Sequence, residues 1–457
     1  MELRPLTAIS PLDGRYQSKL ETLRPIVSEY GLIYYRVYVE VRWLIMLSEN
    51  AQIVSGDILS TEEKSWLENI TESFNVEDAQ EIKNIEATTN HDVKAVEYFL
   101  QQKLKAQGAL SRFIPLIHFG CTSEDINNLA YALMFKAARD KILLPAMQDV
   151  INTMKGIAKD NAAVSMLART HGQPASPTTL GKELLNHALR LSRQRNQFAQ
   201  SEILGKCNGA VGNFNAHVSA YPELDWPRIS EKFVTGLGLV CNVYTTQIEP
   251  HDWVVEALHS LMRFNTILID LNRDLWGYIS LNYFSQKKVE NEVGSSTMPH
   301  KVNPIDFENS EGNLGIANAI AEHFANKLPI SRWQRDLSDS TVFRNLGSIF
   351  GYSQLAYQAA LKGLNKLIAN EDVIRNDLDQ HWEVLAEAIQ TVMRRYGISD
   401  AYEQLKAYTR GERLDAARIN AFIDQLKIPD DAKARLQAMT PQTYTGLAVD
   451  LLEKMYP

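Results

Sequence analysis

Two long stretches without glycine or proline restrict the folds that this chain can adopt. One runs from Lys182 to Leu204 and the other from Trp253 to Trp276. In the first stretch, apolar residues recur at spacings near three, four and seven, with arginines between them, which is typical of an amphipathic helix. In the second, apolar residues cover much of the helical circumference, which indicates burial by several neighbours. Residues 126–144 and 316–328 also have helical patterns, so long helices dominate the predicted structure.

The arrangement of these helices predicts an all-α fold. Runs that alternate between apolar and polar residues are scarce, so we expect few strands. Long helices with short polar breaks favour an extended bundle, which we place at residues 117–362. A mostly helical domain at residues 1–116 precedes it, and a charged helical domain at residues 363–457 follows it. Several domains are also expected from the length, because 457 residues exceed the size of one compact core.

Composition and charge exclude several classes of protein. A net charge of −8 argues against general binding to nucleic acid. The three cysteines, Cys121, Cys207 and Cys241, form no CxxC pair and suggest a reducing compartment. We recognise no signal peptide and no apolar run of about 18 residues, which a membrane span would need. We therefore expect a cytoplasmic protein that does not bind a membrane.

The first candidate functional segment, residues 118–128, leads into a predicted helix. Thr122 and Asp125 have the spacing of a capping box. The start of a helix offers free N–H groups and a partial positive charge, which suit a carboxylate or a phosphate. Plain helix capping explains the same residues, so the segment alone leaves both interpretations open. His118 either assists the chemistry or has only a packing or capping role.

The second candidate segment, residues 169–177, contains His171, one glycine and two prolines. This composition predicts a loop before a helix that begins at about Thr178. A histidine in such a place can exchange protons near neutral pH. A loop histidine with a structural hydrogen bond is the alternative, and the residue alone does not decide between them.

The third candidate segment runs from Gly294 to Pro304. It begins with a pliable Gly-Ser-Ser sequence and is stiffened by Pro299 and Pro304. Its Ser, Lys and Asn side chains can together bind and polarise a carboxylate. Such a loop could close over a substrate and exclude water, although a surface loop before a helix near Asp306 fits the spacing as well.

Common cofactor and metal motifs are not found in the sequence. It contains no GxxxxGK[ST], no GxGxxG after a strand, no HExxH and no GxSxG. The ten histidines form no convincing pair of metal ligands. We therefore expect no cofactor and no metal.

Taken together, the three segments resemble the three shared regions of the fumarase/aspartase superfamily. The segment Gly294–Pro304 matches its GSSxMPxKxNP pattern at every fixed position. The segment Thr170–Ala175, with Thr-His-Gly-Gln-Pro-Ala, is most similar to the adenylosuccinate lyase branch. Ser10–Tyr16 and Thr88–Val93 also resemble that branch, in its bacterial form. The resemblance covers nearly the whole chain.

This resemblance implies a reaction and an assembly. Members of the branch split fumarate from adenylosuccinate, which leaves AMP, and from the succinyl-aminoimidazole-carboxamide ribotide of purine synthesis. The family fold has three helical domains, and the central bundles of four subunits form the core of a homotetramer. The active sites are shared between subunits, and the reaction requires no cofactor.

The resemblance also implies catalytic roles for four residues. Ser295 is the base that removes a proton from carbon, and His171 is the acid that protonates the leaving nitrogen. Lys301 helps to stabilise the serine alkoxide, because a serine is a poor base by itself. Glu308 orients His171. In the alternative interpretation, Ser295 is only a loop hydroxyl and Glu308 is an exposed residue at the start of a helix.

The remaining site residues are implied to bind the substrate. The succinyl carboxylates are matched to Lys301, Asn303, Thr122, Ser123 and Ser296. The phosphate and ribose are matched to Arg15, Tyr16, Arg335, Ser340 and Arg344. The set is completed by Asn90, His91, Asp92, Gln247 and Asn309. Arginine suits phosphate because its fork donates two hydrogen bonds, although surface ion pairs would also explain Arg335 and Arg344.

Two other interpretations compete with this one. The first is another superfamily member that acts on a different fumarate adduct, and the Gly-Gln-Pro after His171 argues against it. The second is an inactive helical scaffold. Intact Ser295, Lys301 and His171 argue against a scaffold, because an inactive protein has no chemical need for all three.

Overall fold

The computed structural model describes residues 2, 4–287, 298, 302–409 and 414–455. In the first half of the chain the α-helices are α1 (Arg24–Val27), α2 (Glu29–Ser48), α3 (Thr61–Glu72), α4 (Val76–Thr89), α5 (Asp92–Ala106), α6 (Ser123–Ala138), α7 (Leu144–Asp160), α8 (Leu180–Gln200), α9 (Asn215–Ala220) and α10 (Trp226–Gly236). In the second half they are α11 (Asp252–Ser280), α12 (Ile305–Lys327), α13 (Ser338–Phe343), α14 (Leu346–Lys366), α15 (Glu371–Asp379), α16 (Ala386–Arg395), α17 (Ala401–Thr409), α18 (Ala416–Gln425), α19 (Asp430–Gln437) and α20 (Ala448–Met455).

Shorter elements connect these helices. The 3₁₀ segments are Pro5–Thr7, Gln17–Lys19, Gly108–Leu116 and Trp382–Leu385, and a π-helical segment, Arg139–Leu143, joins α6 to α7. The strands are β1 (Ser165–Thr170), β2 (Gln173–Thr179), β3 (Leu204–Gly205), β4 (Val240–Cys241), β5 (Phe284–Gln286) and β6 (Leu367–Ala369). They form two-stranded sheets, with β1 and β5 antiparallel to β2 and β6, and β3 parallel to β4. The all-α fold class is confirmed.

The predicted helices are found where the sequence places them, but their first and last residues differ from the predicted ones. α8 ends four residues before the predicted end at Leu204, and α11 extends the predicted stretch Trp253–Trp276 at both ends. α12 begins at Ile305, well before the predicted residue 316. Among the described residues, no helix combines the length and the apolar composition that crossing a bilayer requires.

One prediction of local structure was wrong. The segment predicted as a loop at residues 169–177 belongs to a β-hairpin of β1 and β2, and the following helix begins at Leu180 rather than at about Thr178. The hairpin pairs Thr170 with Gln173, which leaves only two residues in the turn. Two prolines in β2 are compatible with this because each strand has an unpaired outer edge.

The chain divides into two compact units, each built from three segments. The first unit comprises Met1–Met147, Gln194–Thr266 and Gly312–Tyr357. The second unit comprises Gln148–Arg193, Ile267–Glu311 and Gln358–Pro457.

In the first unit, α2 packs along α6. The helix α2 buries Val37, Val41 and Leu44 completely, and α6 does the same with Ile126 and Leu129. This apolar contact holds the N-terminus of α6, which carries the first candidate segment, on a rigid support. A smaller cluster of Leu12, Leu20 and Leu355 fixes the N-terminal segment, and Tyr16 and Tyr352 pack against it.

In the second unit, the C-terminal helices share an apolar core with the β1–β2 hairpin. Leu167 of β1 packs in one cluster with Leu378, Ile389, Met393 and Ile423, which lie on α15, α16 and α18. This cluster anchors the hairpin by its buried residues, whereas residues 169–173, which include the turn, are exposed.

Candidate active site

The N-terminus of α6 is built as the sequence predicts. Asp125 accepts a hydrogen bond from the backbone N–H of Thr122 at 2.8 Å. The same carboxylate accepts from the backbone N–H groups of Asn208 and Gly209 and lies 3.0 Å from Nζ of Lys206. Lys206 and Asp125 are both fully buried. These buried contacts of Asp125 therefore fix the backbone at Thr122 and Ser123, whose own side chains remain partly exposed.

A second predicted group, Asn90, His91 and Asp92, lies at the junction of α4 and α5. Asn90 ends α4 in the left-handed conformation with φ of 51°. His91 caps α5, and its Nδ1 accepts from the backbone N–H of Lys94 at 3.2 Å. In the neutral ring, hydrogen is therefore on Nε2, which makes the exposed edge of the ring a donor.

Asp92, the first residue of α5, is held by two cations. Nη2 of Arg36 donates to its Oδ2 at 2.6 Å, and Nη2 of Arg344 lies 3.4 Å from the same atom. Burial raises the pKa of the Asp92 carboxyl, but Arg36, the backbone N–H of Val93 and Arg344 outweigh it and lower the pKa overall. Asp92 is therefore an anion that organises two arginines.

Arg335 lies against the N-terminal turn of α6. Its Nη2 donates to Oε1 of Glu124 at 2.8 Å, and its Nη1 lies 3.5 Å from Oε1 of Gln247. Its Nε is buried and has no hydrogen-bond partner among the described residues. Burial raises the pKa of Glu124, and the charge of Arg335 opposes that rise. The ion pair is partly buried, with side chains 15% and 6% exposed, so it is not the solvated surface pair considered for Arg335.

Ser340 and Arg344 lie on and directly after the short helix α13. The backbone N–H of Ser340 donates to Oδ1 of Asp339, whose Oδ2 lies 3.5 Å from Nε2 of His251. Arg344 also pairs with Glu29 at 3.1 Å and is half-exposed. Its side chain can therefore exchange the exposed Glu29 for an anionic ligand at small cost.

The N-terminal motif shares a groove with Arg344. The groove has a volume of about 450 Å³, and its lining includes Ser10, Asp13, Arg24, Glu29 and Arg344. Arg15 is exposed, and no described residue forms an ion pair with it. All five residues that were matched to the phosphate and ribose belong to the first unit, and one of them, Arg344, lines this groove.

His171 occupies the turn of the β1–β2 hairpin. His171 and Gly172 both have positive φ, 55° and 75°. Two consecutive positive values are what a type I′ turn requires, and this turn suits the twist of a two-residue hairpin. The imidazole is exposed at the tip of the hairpin, where a substrate can reach it.

The other described catalytic candidate, Glu308, lies in the first turn of α12. Its Oε1 accepts a hydrogen bond from Nε1 of Trp276 at 3.1 Å. Both Glu308 and Asn309 are exposed, and Asn303 precedes the helix. No hydrogen bond joins Glu308 to His171 in the part of the chain that the structure describes. Ser295, Ser296 and Lys301 lie outside the described residues.

The structure defines the surroundings of His118, whose role the sequence did not decide. Its Nδ1 lies 2.6 Å from Oε1 of Glu40, and its Nε2 lies 3.9 Å from Glu97. Burial lowers the pKa of the imidazole, but these carboxylates outweigh the effect and raise the pKa overall. These contacts favour the charged form of His118, which is partly buried and is the first residue of the first candidate segment.

One group of described side chains has the residue types of a metal site. The ligand atoms of His187, Asp270 and Asp274 lie within 4.8 Å of one another. Arg190 donates to Asp270 at 2.8 Å, so this carboxylate already has a cation. The exposed positions of both aspartates give no further reason to place a metal here.

Three residues in the middle of the first unit were missed by the sequence analysis. Arg36, Glu124 and Asn127 connect Arg335 to Asp92 through buried hydrogen bonds. A charged residue within the apolar run of α2 was the available signal, because unpaired charges are not buried in a core. Nothing local in the sequence identifies the partner.

Comparisons with known proteins agree with the segment pattern. Residues 14–351 match a family model described as "Lyase", and residues 331–445 match one described as "Adenylosuccinate lyase C-terminal". Adenylosuccinate lyases from Escherichia coli (strain K12) and Haemophilus influenzae are each 57% identical to this chain, with 100% of both chains covered. The same values are found for the adenylosuccinate lyase of Vibrio cholerae.

A solved structure is similar over nearly the whole fold. The 3-carboxy-cis,cis-muconate lactonizing enzyme from Pseudomonas putida gives a TM-score of 0.73 and covers 95% of each chain. Its sequence identity is 21%, so this likeness concerns the fold alone.

Proposed function

The chain belongs to the adenylosuccinate lyases of the fumarase/aspartase superfamily, and we propose on this premise that it eliminates fumarate from adenylosuccinate and leaves AMP. The observation that carries this function is the 57% identity over the whole length to adenylosuccinate lyases of several bacteria. The same elimination from the succinyl-aminoimidazole-carboxamide ribotide gives the carboxamide ribotide. Both reactions belong to purine biosynthesis, and we propose that the protein acts in the cytoplasm.

The reaction is a β-elimination with one proton transfer on each side of the broken bond. A base removes a proton from the carbon beside a carboxylate, and the C–N bond to the purine then breaks. Charge develops on that carboxylate, so its stabilisation is the main electrostatic task. The leaving nitrogen receives a proton from an acid.

We assign the acid to His171 and the base to Ser295. The exposed imidazole at the tip of a two-residue turn supports the first assignment, because the hairpin holds it on a rigid stem. Ser295 acts with Lys301, whose charge favours the alkoxide, and with Ser296. Glu308 and Asn303 complete this part of the site, with Asn309 beside them on α12.

The nucleotide half of the substrate is assigned to the first unit. Arg335 supports this because its buried Nε–H has no described partner and is available to a phosphate oxygen. Arg344 can exchange Glu29 for phosphate, and the adjacent groove leads to Ser10 and Asp13. We place Arg15, Tyr16, Gln247 and Ser340 around the ribose and phosphate, with Asn90, His91 and Asp92 near the purine end. Thr122 and Ser123 bind a succinyl carboxylate at the N-terminus of α6.

We further propose a homotetramer whose active sites contain residues of different subunits. His171 and Glu308 form no hydrogen bond to each other within the described part of one chain, which fits an orienting contact made across an interface. The exposed positions of both residues are compatible with this. The central bundle at residues 117–362 would supply the tetramer core, with residues 1–116 and 363–457 as the outer domains.

A direct assay tests the function. Purified protein is incubated with adenylosuccinate without added cofactor or metal, and fumarate and AMP are measured by chromatography. Equal amounts of the two products are expected, and the succinylated carboxamide ribotide is tested in parallel. Absence of fumarate from both substrates would refute the proposed function, whereas release from another fumarate adduct alone would point to a different lyase of the superfamily.

A further inference from the structure

A chain of buried polar contacts runs through the first unit beside the proposed nucleotide site. It consists of Arg36 on α2 and of Glu124 and Asn127 on α6, whose residues are 2%, 5% and 7% exposed. None of the three is assigned to bind the substrate. Polar groups this deeply buried require specific partners, so their contacts define a fixed geometry.

The contacts form one continuous path. Nε of Arg36 donates to Oδ1 of Asn127 at 2.8 Å, and Nδ2 of Asn127 donates to Oε1 of Glu124 at 2.9 Å. The same Oε1 accepts from Arg335 at 2.8 Å. At the other end, Arg36 donates to Asp92 at 2.6 Å. The path therefore begins at Arg335 and ends at Asp92, which also contacts Arg344.

The amide of Asn127 gives this path its direction. Its oxygen faces the donor Arg36, and its nitrogen faces the acceptor Glu124. A carboxylate at this position would repel Glu124, and an apolar side chain would leave both neighbours with one contact fewer. Because Glu124 and Asn127 are three residues apart on one helix, they share a face and are fixed by the same backbone.

We infer that Arg36, Asn127 and Glu124 are positioning residues, which together hold Arg335 and the Asp92–Arg344 pair in the geometry that receives the anionic nucleotide half of the substrate. This inference rests on the proposed function. It extends that function from the residues that touch the substrate to those that set their orientation. A guanidinium recognises phosphate through two directed N–H groups, so its orientation matters as much as its charge.

A purely structural role does not explain this arrangement as well. Desolvation offsets much of the attraction in a buried ion pair, so such pairs are a weak source of stability. The two charged ends, Arg335 and Asp92, are both predicted substrate contacts, which indicates instead that the path sets the positions of these two side chains. The two roles differ in what they predict for substrate binding.

The test compares two substitutions of buried asparagines in the full-length protein. Asn127→Leu breaks the path in its middle without touching a proposed substrate contact. Asn265→Leu is the matched control: Asn265 is 1% exposed in the same unit and bonds Tyr357 and Asn318 at 2.6 and 3.0 Å. Thermal unfolding, KM and kcat with adenylosuccinate are measured for both variants and for the wild type.

For Asn127→Leu we expect KM to rise by about tenfold while kcat stays within about threefold, because binding is lost and the acid and base are untouched. Asn265→Leu should lower the unfolding temperature by a similar amount and leave KM unchanged. An unchanged KM in Asn127→Leu, or an equal rise in the control, would overturn the inference. Wild-type turnover in the same assay separates this outcome from a failure of the proposed function.

A second variant keeps the test decisive if Asn127→Leu does not fold. Arg36→Lys retains the charge, but one ammonium cannot reproduce the two directed bonds to Asn127 and Asp92. KM should again rise by about tenfold. The double variant Arg36→Lys/Arg335→Lys should raise KM by less than the product of the two single effects. The reason is that both substitutions act on substrate binding through the guanidinium of Arg335. Independent, multiplicative effects would contradict the inference.

Discussion

Nη2 of Arg335 donates a hydrogen bond to Oε1 of Glu124 at 2.8 Å, although 211 residues separate the two in the sequence. The contact joins the segment after α12 to the first turn of α6. It leaves Nε of Arg335 buried without a described partner. The guanidinium is therefore both fixed by a protein carboxylate and ready to donate to a ligand, which suits a phosphate-binding arginine.

Arg335→Lys should weaken substrate binding more than it slows the chemistry. Lysine keeps the charge but loses the fork that contacts Glu124 and the ligand at once. Hydrogen bonds to charged groups contribute about 1.5–3 kcal/mol, so KM for adenylosuccinate should rise by roughly tenfold or more. Arg332→Lys is the control, since the side chain of Arg332 is 82% exposed and, among the described residues, pairs only with Asp336. Similar KM values in the two variants would contradict the role of Arg335.

Gly172→Ala should disturb the proposed acid without touching it. Gly172 has φ of 75°, which alanine adopts only with strain, although no described atom outside its chain neighbours lies within 4 Å of the added Cβ. The turn should distort and displace His171, so we expect a loss of kcat of about tenfold or more. Gly156→Ala is the control: Gly156 lies in α7, and an added Cβ there likewise meets no atom of the described residues within 4 Å. This variant should keep full activity and gain roughly 0.5–1 kcal/mol of stability, and equal activity of the two variants would argue against the hairpin geometry.

The comparison of sequence with structure shows why helices were easier to predict than this hairpin. The periodic apolar pattern in α8 and α11 is local, so it identifies a helix directly. Residues 169–177 carry a glycine and two prolines, which resemble a loop by composition. The hairpin depends instead on Leu167 packing against residues more than 200 positions later, such as Leu378, and no local pattern records that contact.

The site shows the same difference between local sequence patterns and contacts that form only in the fold. The segments around Thr122 and His171 were found through motifs, because several informative residues lie together in the sequence. Arg36 and Asn127 were missed because they are 91 residues apart and contact each other only in the fold. The apolar residues around Arg36 on α2 indicate that it is buried with a partner, but they do not identify that partner.

Lys206→Met should destabilise the protein strongly. Lys206 and Asp125 are both fully buried and 3.0 Å apart. Removing one partner leaves an uncompensated charge, which typically costs about 3–5 kcal/mol. The free energy of unfolding should fall by that order in denaturant titrations at constant protein concentration. The double variant Lys206→Met/Asp125→Asn should recover part of the loss, and a double variant less stable than the single one would contradict this account.

The pair of His118 and Glu40 should make stability depend on pH. Folding raises the pKa of His118 above its ordinary value of 6.5, because Glu40 and Glu97 outweigh burial. The protonated pair therefore contributes stability that is fully present below pH 6.5 and is lost as the pH rises through the folded pKa. His118→Asn removes the charge, and asparagine tolerates the positive φ of 57° at this position.

The unfolding temperatures of wild type and His118→Asn should differ more at about pH 6 than at about pH 8.5. Glu40→Gln removes the main carboxylate beside His118. In this background, adding His118→Asn should change the unfolding temperature by nearly the same amount at both pH values. The measurement is a thermal melt monitored by circular dichroism at constant protein concentration. An equal gap at both pH values would show that the pair does not titrate as proposed.

Mixing two inactive variants should restore activity if the sites are shared between subunits. His171→Asn removes the proposed acid and Ser295→Ala the proposed base, so each variant alone should lose at least about a hundredfold in kcat. If the two residues of one site come from different chains, subunit exchange creates some sites with both wild-type residues. Random mixing in equal amounts gives roughly a quarter of such sites, because each residue is drawn from an independent chain.

The mixture is incubated under conditions that allow exchange, and fumarate release is followed over time. Activity should rise from near zero towards that fraction of the wild-type value. A mixture of His171→Asn with the double variant His171→Asn/Ser295→Ala is the control, since no arrangement of its subunits provides a wild-type histidine. Full exchange, verified by mass spectrometry, without any gain in activity would place His171 and Ser295 of each site on the same chain.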